Sequence, residues 1–397
     1  MTVFLIAGEA SGDIHAAALV RELRERHPEA QFAGLGGDAM REEGVKLYQD
    51  YRQMAYMGVV AVIRHAGAIR RNFRIAQEAL LREQPDALIL IDYPSFNLRM
   101  AAFCRKHLPA TRIIYYIPPK VWAWKQWRVH KIARLCDEVL GIFPFEPAFY
   151  QRFGYQCRYV GNPCVNEVGP PPSADAPRSG IALLPGSRES EIRHCLPTMI
   201  RAAETALEQA GIETPITIAG APGIAPELYA SLANGYPVRF GAAHELLRTS
   251  VAAIVNSGTA TLEAALLNCP QVPVYHIACP WIAHLRPLLF PSPYFTLPNI
   301  LLQREVVREK IAYKFTVKEV ASELLSLLTP YPSGADPATD NSMADYAKQT
   351  VSAEPMADKA HAEKRLSVRE IQLRDYAEIR QMLGSLSAPA EAAKHCL

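Results

Sequence analysis

Two stretches of this chain, Leu184-Pro-Gly-Ser-Arg188 and Asn256-Ser-Gly-Thr-Ala-Thr-Leu-Glu263, carry residue types suited to holding anions. Each follows an apolar run that reads as a buried strand, Ile181 to Leu184 and Val251 to Val255, and each precedes helix-compatible sequence. A strand running into a helix start presents unpaired backbone N–H groups and the positive end of the helix dipole, which suits phosphate. Gly186, Ser187, Ser257, Gly258 and Thr259 let the backbone come close and add hydroxyl donors. Arg188 adds a planar fixed charge, and Glu263 falls far enough into its helix to reach a ribose hydroxyl. Together the turns predict a nucleotide diphosphate site.

Carboxylates stand at two other strand ends. Gly8-Glu-Ala-Ser-Gly-Asp13 follows the first strand, with glycines that permit a tight turn and with Glu9 and Asp13 at its rim. The same stretch reads equally as a plain strand-to-helix turn with Asp13 near a helix start. It lacks the G-x-G-x-x-G of a Rossmann dinucleotide site. Ile91-Asp92-Tyr-Pro-Ser-Phe-Asn97 follows the strongest strand, so Asp92 is a general-base candidate, or else a cap for the helix after Pro94. Asn97 would orient Asp92 or cap a turn.

Tyr115 to Trp127 puts three tryptophans with Lys120 and Lys125 in one loop, able to stack sugar rings or to lie half-buried under a helix. No RNA-binding module surrounds it, and no nucleic-acid partner is expected. From Gly58 to Ala76, Val59, Val62, Ile63, Ala66, Ile69 and Phe73 recur at helical spacing, with Arg64, Arg70, Arg71 and Arg74 off that face. That pattern fits a helix lying on an anionic membrane surface, with Val59, Val62, Ile63, Ile69, Arg70 and Arg71 facing it, and fits a core-facing helix as well. The histidines show no ligand spacing and there is no DxD, so neither metal nor other cofactor is expected.

These residues need strands to hold them. Val3–Ala7, Gln31–Leu35, Ala87–Ile91, Arg112–Ile117 and Glu138–Ile142 read as strands separated by helical stretches, which implies a parallel sheet. After Gly161-Asn-Pro163 and a proline-rich linker the alternation restarts at Ile181 and continues through Ile216–Ala219, Ala252–Val255 and Gln271–Tyr275. The expected architecture is α/β: two Rossmann-like doubly wound domains, over residues 1–165 and 166–330, facing a cleft. Residues 331–365 are polar and expected to be flexible, and 366–397 to form a helical tail that packs back.

Composition agrees with a globular enzyme: 397 residues, 49% hydrophobic and 21% charged. The net charge is only +2, yet residues 64–134 hold fourteen Lys/Arg against four Asp/Glu, a stripe that seeks an anionic surface. Eight cysteines without CxxC spacing fit reduced thiols rather than disulfides or zinc. The N-terminus reads as a strand rather than a leader, and no window is apolar enough to span a bilayer. A cytosolic protein, at most peripheral on a membrane, is expected from these features.

Taken in order, GEASGD, the Met57-Gly58 segment, IDYPSFN, YYIPPKVWAWK, FPFEPAFY, GNP, LLPGSRESEI, NSGTATLE and LPNILL resemble the lipid-A-disaccharide synthase family. The resemblance covers roughly residues 1–328 and a stretch near Leu383 to Ala393. It implies a GT-B glycosyltransferase that joins UDP-2,3-diacylglucosamine to 2,3-diacylglucosamine 1-phosphate (lipid X), giving a β-1,6-linked disaccharide 1-phosphate and UDP without a metal. Asp92 matches the family's catalytic carboxylate, and Glu9, Arg188 and Asn299 match its active-site set. Acceptor or sugar contacts then fall to Ser11, Asp13, Asn97, Lys120 and Trp122. Ser95 stands where some relatives place a second acid, and the polar stretch from Thr329 to Lys364 lacks the usual compact tail. The resemblance leaves room for a homodimer. Two other readings remain: another UDP-sugar enzyme of this fold, such as an epimerase or a cell-wall lipid transferase, and a non-catalytic nucleotide-sensing membrane scaffold.

Overall fold

A computed structural model of the chain describes residues 1–54, 66–276, 292–312, 315–328 and 366–397. The chain divides into two compact units, residues 1–166 with 383–397 and residues 167–382. Each is a parallel sheet with helices between its strands.

The first unit orders its seven strands β3-β2-β1-β4-β5-β6-β7. They are β1 (Thr2–Ala7), β2 (Gln31–Gly36), β3 (Lys46–Asp50), β4 (Ala87–Ile91), β5 (Arg112–Tyr116), β6 (Glu138–Gly141) and β7 (Arg158–Tyr159). The apolar runs of β1 and β4 follow from burial on both faces. Val3, Leu5 and Ala7 with Ala87, Ile89 and Ile91 join Ala16, Leu19, Val20 and Leu23 of helix Ala10–Arg26 in one core. Phe4, Ile6, Leu88 and Leu90 are as fully buried on the opposite face. Burying each large side chain among these contributes roughly 1.5–3 kcal/mol.

The second unit orders six strands β10-β9-β8-β11-β12-β13. These are β8 (Ile181–Leu184), β9 (Ile216–Gly220), β10 (Val238–Phe240), β11 (Ala252–Asn256), β12 (Gln271–His276) and β13 (Lys310–Ala312). Ile181, Leu183, Ile254 and Val274 pack under Leu196 and Met199 of helix Glu189–Ala210 and Leu324 of helix Val317–Leu328.

In both sheets the direction of strand addition reverses once, between β1 and β4 and between β8 and β11. Helices leave to opposite faces there, opening a crevice at the carboxyl ends of the two strands, where open α/β sheets bind ligands. Three of the four turns at these reversals are the motifs GEASGD, IDYPSFN and LLPGSR, and the fourth is NSGTATLE.

The structure departs from the sequence expectations in places. Strands β3, β7, β10 and β13 were not expected, because edge strands bury one side at most and lack a continuous apolar run. The first helix begins at Ala10, inside GEASGD, with Glu9 as its extended N-cap. Strand β5 stops at Tyr116, because Ile117 turns left-handed at φ 58°. The tail divides: Gln372 and Tyr376 of helix Val368–Leu383 bond Gln271 at the start of β12, whereas Ala392, Ala393 and Cys396 of helix Ala388–Cys396 complete the first unit's core. The segment 329–364 lies outside the described residues, as do Val59, Val62, Ile63 and Arg64.

Candidate active site

In the first unit the chain leaves β4 through two consecutive left-handed residues, Asp92 at φ 44° and Tyr93 at φ 45°. Ile117, at the end of neighbouring β5, is left-handed too, which a β-branched residue strongly disfavours. Each such conformation costs about 1–3 kcal/mol and persists only where its surroundings enforce it. Here they do. The Asp92 carbonyl accepts from Tyr115 Oη at 2.7 Å and from Asn97 Nδ2 at 2.8 Å, and Asn97 Nδ2 also reaches the Ile91 carbonyl at 3.1 Å. The Asp92 N–H donates to the Ile117 carbonyl at 3.2 Å, tying the two strained turns together. Tyr93 lies across Gly8, where a Cβ would come within 2.2 Å of its ring, and its hydroxyl donates to the Met54 carbonyl. GEASGD therefore needs glycine at its first position to pack against IDYPSFN.

This scaffold holds a half-buried carboxyl just past the carboxyl end of β4, at the strand reversal. Desolvation pushes the Asp92 carboxyl above the usual carboxylate range, while the charges of Lys120 and His15 and the Tyr93 N–H pull it back. Lys120 is exposed, and Ser11 is exposed in the first turn of its helix beside Glu9. His15 carried no sequence signal except its place two residues beyond GEASGD.

Three expected acceptor contacts are buried and have structural partners. Asp13 is buried, and its carboxylate accepts the backbone N–H groups of Gly37, Ala39 and Met40 at 2.7–3.3 Å, capping helix Asp38–Glu42. Asn97 is fully buried and donates its amide N–H groups to the backbone of Ile91 and Asp92, which positions the Asp92 loop. Trp122 is buried edge-on against Phe143 and Phe145, with its indole N–H given to Glu146 at 3.1 Å. The exposed aromatic rings of that loop are Trp124 and Trp127, with Lys125 over Trp124 at 3.9 Å. Glu146 also accepts the N–H groups of Ile142 and Phe143. Its complete burial raises its pKa to about 7 against those donors and Lys120.

In the second unit, β8 passes through Gly186, left-handed at φ 115°, to Arg188, the N-cap of helix Glu189–Ala210. Arg188 is about half exposed and pairs with Glu191 at 2.8 Å, whose other carboxylate oxygen accepts the Ser187 N–H at 3.2 Å. On the other side of the reversal, Ser257 gives its N–H to Val274, and helix Thr259–Leu266 starts behind the N-cap Gly258. Neither helix has a side-chain cap, so first-turn N–H groups at both starts stay available to an anion. Glu263 holds His244 Nε2 at 3.1 Å; this hydrogen bond raises the pKa of His244, which partial burial opposes.

Asn299 has a structural role as well. It is buried, accepting from the Val306 and Val307 N–H groups at 2.7 and 2.9 Å and donating to Val307 O and Glu309. With every side-chain polar atom engaged, it fastens the chain after helix Leu297–Leu302.

On helix Ala66–Glu83, Arg70, Arg71 and Arg74 are exposed and Ile69 half-buried, while Ala76 joins the core. No helix among the described residues is long and apolar enough to cross a membrane.

Residues 3–363 match the family model described as lipid-A-disaccharide synthetase. The lipid-A-disaccharide synthase of Myxococcus xanthus is 38% identical over 346 residues, 83% of this chain and 88% of that protein. That of Geobacter sulfurreducens is 36% identical over 335 residues, 81% and 86% of the two. Among solved structures, the UDP-GlcNAc 2-epimerase of Neisseria meningitidis bound to UDP-GlcNAc superposes with a TM-score of 0.56 at 10% identity, over 83% of this chain and 91% of that one. The UDP-GlcNAc 2-epimerase of Methanocaldococcus jannaschii in complex with UDP-GlcNAc and UDP gives 0.53 at 11% identity, over 88% and 99%. At such identity the likeness carries the two-domain fold and no activity.

Proposed function

We infer the chemistry from one premise: this chain belongs to the lipid-A-disaccharide synthase family. It is a glycosyltransferase of lipid A assembly with the α/β GT-B fold. We propose that the donor is UDP-2,3-diacylglucosamine and the acceptor 2,3-diacylglucosamine 1-phosphate. An α-linked donor and a β-1,6-linked product require one in-line displacement. The acceptor 6-hydroxyl oxygen forms the bond to C1, the C1–O bond to the diphosphate breaks, and UDP leaves with that electron pair.

Asp92 takes the 6-hydroxyl proton as the new bond forms. The observation that carries this role is the pair of left-handed residues at Asp92 and Tyr93, held by Tyr115 and Asn97 at a strand reversal. Strain of this kind, held in place by its surroundings, clusters at functional sites. Raised proton affinity also makes Asp92 a better base than an ordinary aspartate. The departing diphosphate falls to Arg188 and to the helix starts after Ser187 and Gly258, which stabilise its growing charge without a metal. Glu263, supported by His244, takes the ribose. Arg70, Arg71 and Arg74 bring the protein to an anionic bilayer, where both lipid substrates reside.

The test is turnover of the two acylated sugars with EDTA present. A product of disaccharide 1-phosphate mass with a β anomeric signal supports the proposal. An α product or full dependence on magnesium rejects the metal-free inverting displacement, and turnover of non-acylated UDP-GlcNAc alone would favour another UDP-sugar chemistry.

A further inference from the structure

The turn after β8 already holds an anion from its own chain. The two carboxylate oxygens of Glu191 divide between the Arg188 guanidinium at 2.8 Å and the Ser187 N–H at 3.2 Å, the strongest cation and the leading amide of this turn. The turn is shaped around that carboxylate: a Cβ on Gly186 would stand 2.5 Å from Glu191 Oε2 and 2.8 Å from Asn256 Nδ2. The Glu191 side chain is tucked in, with 18% of it exposed against 51% for Arg188. Incoming phosphate oxygens seek the same two donors, and a carboxylate left between them would set like charges side by side.

We propose that Glu191 is a built-in competitor for the diphosphate, displaced when UDP or a UDP-sugar binds and returning to the same donors as UDP leaves. The proposal rests on the reading of this turn as the diphosphate site. Glu191 lies in the first turn of helix Glu189–Ala210, so rotation of its side chain alone carries the carboxylate outward to solvent. Its return offsets the loss of phosphate contacts, which lowers UDP affinity and favours release of this product. A different account makes Glu191 a plain helix cap: an acid at the third helical position commonly reaches back to an N–H at the helix start. Removing a cap lowers helix stability and leaves ligand affinity unchanged or weaker. Removing a competitor strengthens it.

Titration calorimetry of UDP and of uridine against wild type, Glu191→Gln and Glu191→Ala separates the two. The expected result is UDP binding tighter by roughly three- to tenfold in both variants, a modest gain because Arg188 is half exposed. Uridine, which has no phosphate, binds all three proteins alike. Stronger inhibition of turnover by added UDP accompanies the tighter binding. UDP affinity unchanged or weakened in both folded variants, or UDP and uridine shifting together, overturns the proposal in favour of the cap. Melting curves without ligand establish that each variant is folded, and the alanine variant serves if the glutamine one is not. Equal UDP affinity in Arg188→Ala and wild type would instead reject the diphosphate reading of the turn itself.

Discussion

Asp92 was legible as a residue, because a carboxylate after the most apolar strand stands out in the sequence, but the conformation that makes it useful was not. Left-handed φ at Asp92, Tyr93 and Ile117 depends on donors from Tyr115 and Asn97, contacts that only the folded chain assembles. The same limit explains Asp13, whose three N–H partners lie 24 to 27 residues away, and Trp122, whose partner Glu146 lies 24 away. A polar group in a motif reads alike in sequence whether it reaches for substrate or for a distant backbone or side-chain partner. Two predictions belong at this scale. Arg188→Ala should weaken UDP binding by roughly tenfold, with Arg188→Lys recovering only part, because an ammonium lacks the two-pronged geometry for phosphate oxygens; unchanged affinity in calorimetry would remove Arg188 from the site. Glu146, buried and raised from 4.5 to about 7, keeps its proton in the folded protein over a range where the unfolded chain has lost it. Its contribution is therefore greatest below the unfolded value and declines as pH rises toward 7, by on the order of 3 kcal/mol. Denaturant midpoints from pH 4.5 to 8 should show that decline in wild type and a flatter profile in Glu146→Gln; equal slopes would remove Glu146 as the cause.

Central strands were the most readable elements, since β1, β4, β8 and β11 are buried on both faces and carry unbroken apolar runs. Edge strands such as β10, with two of its three residues exposed, look like loop in sequence. Helix starts at the strand reversals were legible in kind but not in position, because GEASGD enters its helix at Ala10 without a side-chain cap. Helix Ala66–Glu83 combines both readings of its sequence: Ala76 and Leu80 are core, and Arg70, Arg71 and Arg74 face solvent. Reversing those three arginines to glutamate should leave the melting temperature nearly unchanged, since none is buried. It should weaken co-sedimentation with anionic vesicles by roughly tenfold or more, because cations near an anionic surface add their attractions. Undiminished binding would move the membrane contact to another part of the protein.

At the scale of the molecule, the alternation of strands and helices disclosed two doubly wound sheets, and the interruption at the proline-rich linker separated them. The division of the tail between the units was hidden: Gly384 to Pro389 breaks the helical pattern of Leu366 to Leu383, but nothing in the residues says that the helices on either side serve different cores. Each unit places its charged turns at its own strand reversal, the base candidate in one and the diphosphate candidates in the other. Chemistry and nucleotide binding are therefore separable by mutation. The most direct test is Asp92→Asn, which keeps the side chain's shape but cannot accept the 6-hydroxyl proton. Turnover of the acylated substrates should fall by about 10²–10⁴-fold while UDP affinity, measured by calorimetry on the same folded protein, stays at the wild-type value. A variant that keeps more than about half of wild-type turnover, or that loses UDP binding together with activity, would contradict the assignment of Asp92 as the base.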